Sequence, residues 1–147
     1  IEVSRVSFPK KLAVDGEYRD PPNDGKFAVV ELVASAESLI MNTEDIFLSS
    51  ESNQKSPFIG ISEAVAAGKH ASFLSTDVVV SNDGELLRGS NGPAFGVGKK
   101  SKIPYIKVTS RNVNLLLAFA ISKQEGDALV LHFGELELKV PTGRAEP

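Results

Sequence analysis

Two segments, Phe27–Ala34 (FAVVELVA) and Val113–Ile121 (VNLLLAFAI), are apolar at nearly every position. A strand with one wet face alternates apolar and polar residues, so a short run without alternation calls for cover on both faces. The longest apolar run, Leu115–Ile121, is far short of the ~20 residues of a membrane-spanning helix. These segments therefore read as core strands.

The rest of the chain repeats short apolar segments between turn residues. Val3–Phe8 is halted by Pro9, and Asp15–Gly25, with Pro21-Pro22 and Asn23-Asp24-Gly25, reads as loop. Asp45–Leu48, Phe58–Ile61, Asp77–Val80, Tyr105–Thr109 and Ala128–Phe133 read as further strands. The polar stretch Ser49–Ser56 and the glycine-rich stretch Gly89–Gly98 read as loops. Asn82-Asp83-Gly84, between Val78–Val80 and Leu86-Leu87, is a hairpin signal. Ser62–Lys69 (SEAVAAGK) is the one helical candidate, with Ser62 as N-cap, Glu63 in the first turn and Gly68 at the end. Near the C-terminus Glu135, Glu137 and Lys139 alternate with Leu136, Leu138 and Val140, a strand with one wet face. Gly134, standing between two such segments, is expected to be a bulge or sharp bend.

Eight or nine short strands with regular turn signals point to an all-β fold, an antiparallel β-sandwich of immunoglobulin-like type with at most one short helix. A barrel is the second choice. The 147 residues suit a single domain over 1–140 followed by a tail at 141–147. The chain has no cysteine, so disulfide scaffolds, cysteine-ligated metals and thiol nucleophiles are excluded. No charged-then-apolar leader is visible at the start. A chain opening on Ile1 reads as a fragment or a processed product, which leaves export open.

The net charge of −3 hides a segregation. Residues 1–85 carry 7 basic and 14 acidic side chains, and residues 125–147 carry 2 and 5. Residues 86–124 carry 7 basic side chains and no acid: Arg88, Lys99, Lys100, Lys102, Lys107, Arg111 and Lys123. Such a block forms a basic edge if its loop and strands lie together, with Lys99, Lys100, Lys102 and Lys107 as the anion-binding candidates. The expected partner is an acidic protein surface, an anionic glycan or a lipid headgroup. The alternative is that the basic block neutralises acidic blocks beside it in the fold. Tyr105 is the one exposed-looking aromatic near these lysines, which argues against nucleic acid.

Asp15, Glu17, Asp20 and Asp24 place four carboxylates within ten residues. Hard cations take several oxygen ligands from one loop, so Asp15, Asp20 and Asp24 are the best calcium candidates, in a calcium-assisted carbohydrate-binding module. The other reading is a solvated acidic turn, and no other cofactor is expected. An EF-hand does not fit, because Pro22 occupies the third ligand position and a strand follows where a helix should start. Gly92–Ser101 (GPAFGVGKKS) is not a phosphate-binding loop, since Pro93 and Lys100 break the pattern and a strand follows.

His132 lies in LVLHFG and shares a strand face with Val130, as a partly solvated strand histidine would. His70 follows the helical candidate and would sit near its C-terminal dipole. No serine stands in a Gly-x-Ser-x-Gly elbow, and chain order suggests no catalytic triad. An enzyme would need a pocket in which His132 or His70 meets carboxylates. The expected class is thus a non-enzymatic binding or interaction module.

The C-terminal third, Arg111–Pro141, resembles the last strands of the immunoglobulin-like domain of unknown function type 4352, found on bacterial lipoproteins and other exported proteins. Leu117, Phe119 and Ile121, then a charged turn, then Leu129, Leu131 and Phe133 carry the likeness, with Ser122 in place of a customary proline. Phe27–Ala34 is similar to that family's first core strand. The resemblance implies an extracellular or cell-envelope location and a non-catalytic binding or scaffolding role, with no catalytic residues.

Overall fold

The computed structural model describes residues 2–21, 25–34, 39–50, 55–63, 73–75, 84–88, 95–101, 103–108, 113–121 and 129–140. In chain order the strands are β1 (Glu2–Ser7), β2 (Leu12–Val14), β3 (Glu17–Arg19), β4 (Lys26–Ala34) and β5 (Leu39–Asn42). After a 3₁₀ turn at Thr43–Asp45 come β6 (Ile46–Ser49), β7 (Lys55–Glu63), β8 (Gly84–Arg88), β9 (Phe95–Lys100) and β10 (Ile103–Val108). The last three are β11 (Val113–Ile121), β12 (Leu129–Phe133) and β13 (Leu136–Val140). The described residues contain no α-helix.

A seven-stranded sheet runs β1-β4-β11-β7-β6-β12-β13, and a four-stranded sheet runs β5-β10-β9-β8. Every ladder between named strands is antiparallel. The large sheet curls until its edge strands β1 and β13 meet, so it is nearly closed and barrel-like. Ala28, Val30 and Leu32 of β4, Leu115, Leu117 and Phe119 of β11, and Leu131 and Phe133 of β12 point into this curl. Phe95, Val97, Ile106 and Val108 of the small sheet join the same core, giving a sandwich-like arrangement. The all-β expectation holds, with features of both the sandwich and the barrel.

The outward face of the two central strands is also dry. Phe27 and Val29 of β4 and Ala118 of β11 are covered by Leu12 and Val14 of the β2–β3 hairpin and by Phe73. That is why these strands lack alternation. Gly60 permits the approach of the 73–75 segment, because a Cβ there would sit 3.0 Å from Phe73 Cβ.

Several elements differ from the sequence reading. Ser62 and Glu63 end β7 and do not start a helix, and Ser62 is buried. Phe95–Gly98, expected as loop, is buried strand: Phe95 and Val97 face the core, and Gly96 and Gly98 take the alternate positions. The expected loop at Ser49–Ser56 gives Ser49 to β6 and Lys55 and Ser56 to β7. Asp15–Gly25 contains the Asp15-Gly16 turn and β3. Gly134 is neither bulge nor isolated bend. It forms with Glu135 the two-residue turn between paired Phe133 and Leu136. The rest of the helical candidate (64–69), His70, the strand at 77–80 and the tail at 141–147 lie outside the described residues.

Gly134 has φ +67°, and a Cβ there would lie 2.7 Å from Met41 Sδ. Gly134→Ala is therefore expected to cost about 1–2 kcal/mol from the left-handed backbone alone. Urea unfolding checks this: the midpoint should fall with the slope unchanged.

Candidate functional site

The outer face of the small sheet follows from strand alternation. Because Ile106 and Val108 enter the core, Ile103, Tyr105 and Lys107 project outward from β10. On β5 Met41 packs inward and Ile40 and Asn42 face out. On β9 the outward positions are Gly96, Gly98 and Lys100, opposite Lys107, Tyr105 and Ile103. Gly96 and Gly98 add no side chains to this face, and both are buried. Ile40, Asn42, Lys100, Ser101, Ile103 and Tyr105 line a cleft of about 410 Å³ at its β9–β10 end. Ile40 is 57% exposed and Ile103 40% exposed, so half of the exposed large apolar side chains among the described residues are here.

The structure divides the basic candidates. Lys100 and Lys107 share the outward face, four pairs apart in register, or ~13 Å along the strands. Lys99 has the parity of Phe95 and Val97 and sits half-buried at the rim of the opposite face, paired with Pro104. Lys102 lies outside the described residues. Ile40, Asn42 and Ile103 were not singled out by sequence reasoning. The inward Met41 between two outward neighbours is the alternation that could have marked Ile40 and Asn42.

The acidic segment is a hairpin with a structural carboxylate. Asp15 and Gly16 connect β2 to β3 with φ of +54° and +86°, as a type I′ turn requires. Asp15 Oδ1 accepts from the Ser75 backbone N–H at 3.0 Å, and Oδ2 accepts from Ser75 Oγ at 2.6 Å. The Asp15 N–H donates to the Phe73 carbonyl at 2.7 Å, and Arg19 lies 3.9 Å from Oδ2. The carboxylate thus clamps the 73–75 segment onto the sheet. Asp20 is exposed beyond β3, and Asp24 lies outside the described residues. Among the described residues no three His, Asp or Glu side chains converge as a metal-binding group.

A second constellation was missed by sequence reasoning. On the outward face of β6, β12 and β13, His132 stands opposite Phe47 on one side and Glu137 on the other. Ser49 Oγ lies 2.9 Å from His132 Nε2, and Glu137 Oε2 lies 3.9 Å from Nδ1. His132 is a half-buried strand histidine sharing its face with Val130, as the alternation of LVLHFG implies. Pairing of His132 with Glu137 follows once Gly134-Glu135 is taken as the turn. The contact with Ser49 is a long-range one that no local pattern announces. No family profile, curated protein or solved structure matches the chain.

Asp15→Ala is expected to destabilise the fold by about 2–4 kcal/mol, through two lost hydrogen bonds to a charged group and a left-handed backbone. Asp15→Asn, which tolerates that backbone, should cost less than half as much. With both Asp15 oxygens engaged, millimolar calcium should leave the wild-type melting temperature unchanged. A thermal melt with calcium against EDTA checks this, since a ligand bound only to the folded state raises stability.

Proposed function

We propose that the protein is an interaction module whose binding face is the outer side of the four-stranded sheet. The partner is a protein segment with an apolar anchor flanked by carboxylates. The observation that carries this reading is the presence of Ile40 and Ile103 on the same face as Lys100 and Lys107. Stable recognition surfaces combine an apolar centre with a charged rim, and scattered lysines alone do not make one. Ile40 stands directly opposite Lys107 and Ile103 directly opposite Lys100, with Tyr105 between the two pairs along β10, so each apolar side chain has a lysine beside it.

A protein segment suits this face better than a glycan. Sugar rings stack on broad aromatic platforms, and the chain has no tryptophan. Here one tyrosine is accompanied by two isoleucines, which match aliphatic or aromatic peptide side chains. An extracellular or cell-envelope setting belongs to the same proposal. Its support is the resemblance of Arg111–Pro141 to the immunoglobulin-like domains of exported proteins, together with a cysteine-free composition.

The test is equilibrium binding to acidic peptides with a central Leu or Phe, alongside a sulfated glycan. Peptide binding should weaken about tenfold in Ile40→Ser and at least as much in Lys100→Glu/Lys107→Glu, about 1.4 kcal/mol or more. The melting temperature of Ile40→Ser should stay near wild type, and rising salt should weaken the complex. Equal binding by wild type and both variants, or glycan binding indifferent to Ile40→Ser, would overturn the reading.

A further inference from the structure

The Ser49–His132–Glu137 constellation lies on the other sheet and is independent of the binding face proposed above. Its geometry is that of a nucleophile with a base and an orienting acid. Glu137 beside Nδ1 favours the tautomer with the proton on Nδ1, leaving Nε2 to accept from Ser49 Oγ–H at 2.9 Å. At 3.9 Å the carboxylate acts through its charge and not through a hydrogen bond. The imidazole is held flat on Phe47, with ring centroids 4.3 Å apart and planes 12° from parallel. Lys55 stands directly opposite Ser49 in register, with its ammonium 4.7 Å from the Phe47 centroid.

A cleft adjoins this cluster. It has a volume of about 360 Å³ and is lined by Thr43, Glu44, Ile46, Phe47, Lys55, Pro57 and Phe58. Phe47 and Lys55 therefore belong both to the cleft and to the group around Ser49.

We propose that Ser49 is an activated nucleophile for esters of small apolar acyl groups, with His132 as general base and acid and Glu137 as a positioning residue. The acyl group occupies the cleft against Phe47, Pro57 and Phe58. Ser49 Oγ attacks the ester carbonyl carbon as its proton passes to His132 Nε2. The C–O bond to the alcohol then breaks, and the alcohol leaves with that proton, giving acyl-Ser49. Water, deprotonated by the same Nε2, attacks the acyl carbon and releases the carboxylic acid, and Ser49 regains its proton. Strand amides next to Ser49 are committed to the β6–β7 and β6–β12 ladders. Lys55 is therefore the group that meets the developing oxyanion. One flexible cation in place of a pair of fixed amides slows acylation and deacylation alike, so acyl-Ser49 accumulates where an activated leaving group such as p-nitrophenolate makes acylation the faster step.

The experiment treats the full chain with an alkyl fluorophosphonate and with p-nitrophenyl butyrate, following intact mass, peptide mapping and the nitrophenol burst. One adduct is expected, at Ser49, absent in Ser49→Ala. His132→Gln should slow labelling about 100-fold or more, and Lys55→Met should slow it with a smaller effect on acyl-group affinity. Glu137, 70% exposed, can be changed without disturbing the fold, so the proposal stays testable if His132→Gln does not fold. Glu137→Gln should slow labelling several-fold at unchanged melting temperature, and Glu137→Asp should restore most of the rate. No adduct at Ser49 in the folded protein, labelling undiminished in His132→Gln, or an unchanged rate in Glu137→Gln each overturns the proposal.

Discussion

Apolar cover on both faces of β4 and β11 is the requirement on which the other elements depend. Inward, Val30, Leu32, Leu117 and Phe119 need partners across the core, which the curled large sheet and the inner face of the small sheet supply. Outward, Phe27, Val29 and Ala118 need a lid, and a three-residue hairpin arm is too small to hold one by packing alone. The Asp15 carboxylate resolves this by taking two hydrogen bonds from Ser75, which pins Phe73 beside Leu12 and Val14. A charged group in the acidic segment thus serves the second core.

The same economy explains where chemistry can occur. The hairpin covers β4 and β11 but not β6, β12 and β13, so the outward residues Ser49, His132 and Glu137 stay accessible and meet through ladder register. The inner face of the small sheet packs on the core through Phe95, Val97, Ile106 and Val108. On its outward face Gly96 and Gly98 are buried, and the exposed apolar side chains are Ile40 and Ile103. Strand parity separates Lys99 from Lys100, although they are adjacent in sequence. One-residue offsets decide which charges act together.

Much of the fold was legible because period-two and unbroken apolar patterns report burial directly. Val113–Ile121 matches its strand at both ends, and Leu129–Phe133 differs from expectation by one residue. The misreadings have physical causes. SEAVAAGK has helical composition, but Ser62 and Glu63 extend a nine-residue strand whose pairing with β11 outweighs local propensity. FGVGKK reads as flexible because glycine suits loops, yet in the middle of a sheet it suits a strand whose neighbours need space. The strand after Gly134 was started one residue early because a hairpin turn takes two residues, and the alternation gave no reason to remove Glu135 from the strand.

For the sites, sequence supplied the ingredients and little of the arrangement. The basic block pointed to the sheet that bears Lys100 and Lys107, but a strand read as loop offered no alternation by which to assign faces. Asp15 stood out as a carboxylate in an acidic cluster, and only its contact with Ser75, sixty residues away, made it a clamp. Ser49 and His132 are eighty-three residues apart and carry no local signature. Composition and patterning by themselves determined an all-β chain with two strands buried on both faces and a segregated basic segment, because burial imprints its period on sequence. Which polar side chains touch was decided by ladder register and sheet closure, because hydrogen bonds depend on positions in space that sequence distance does not encode.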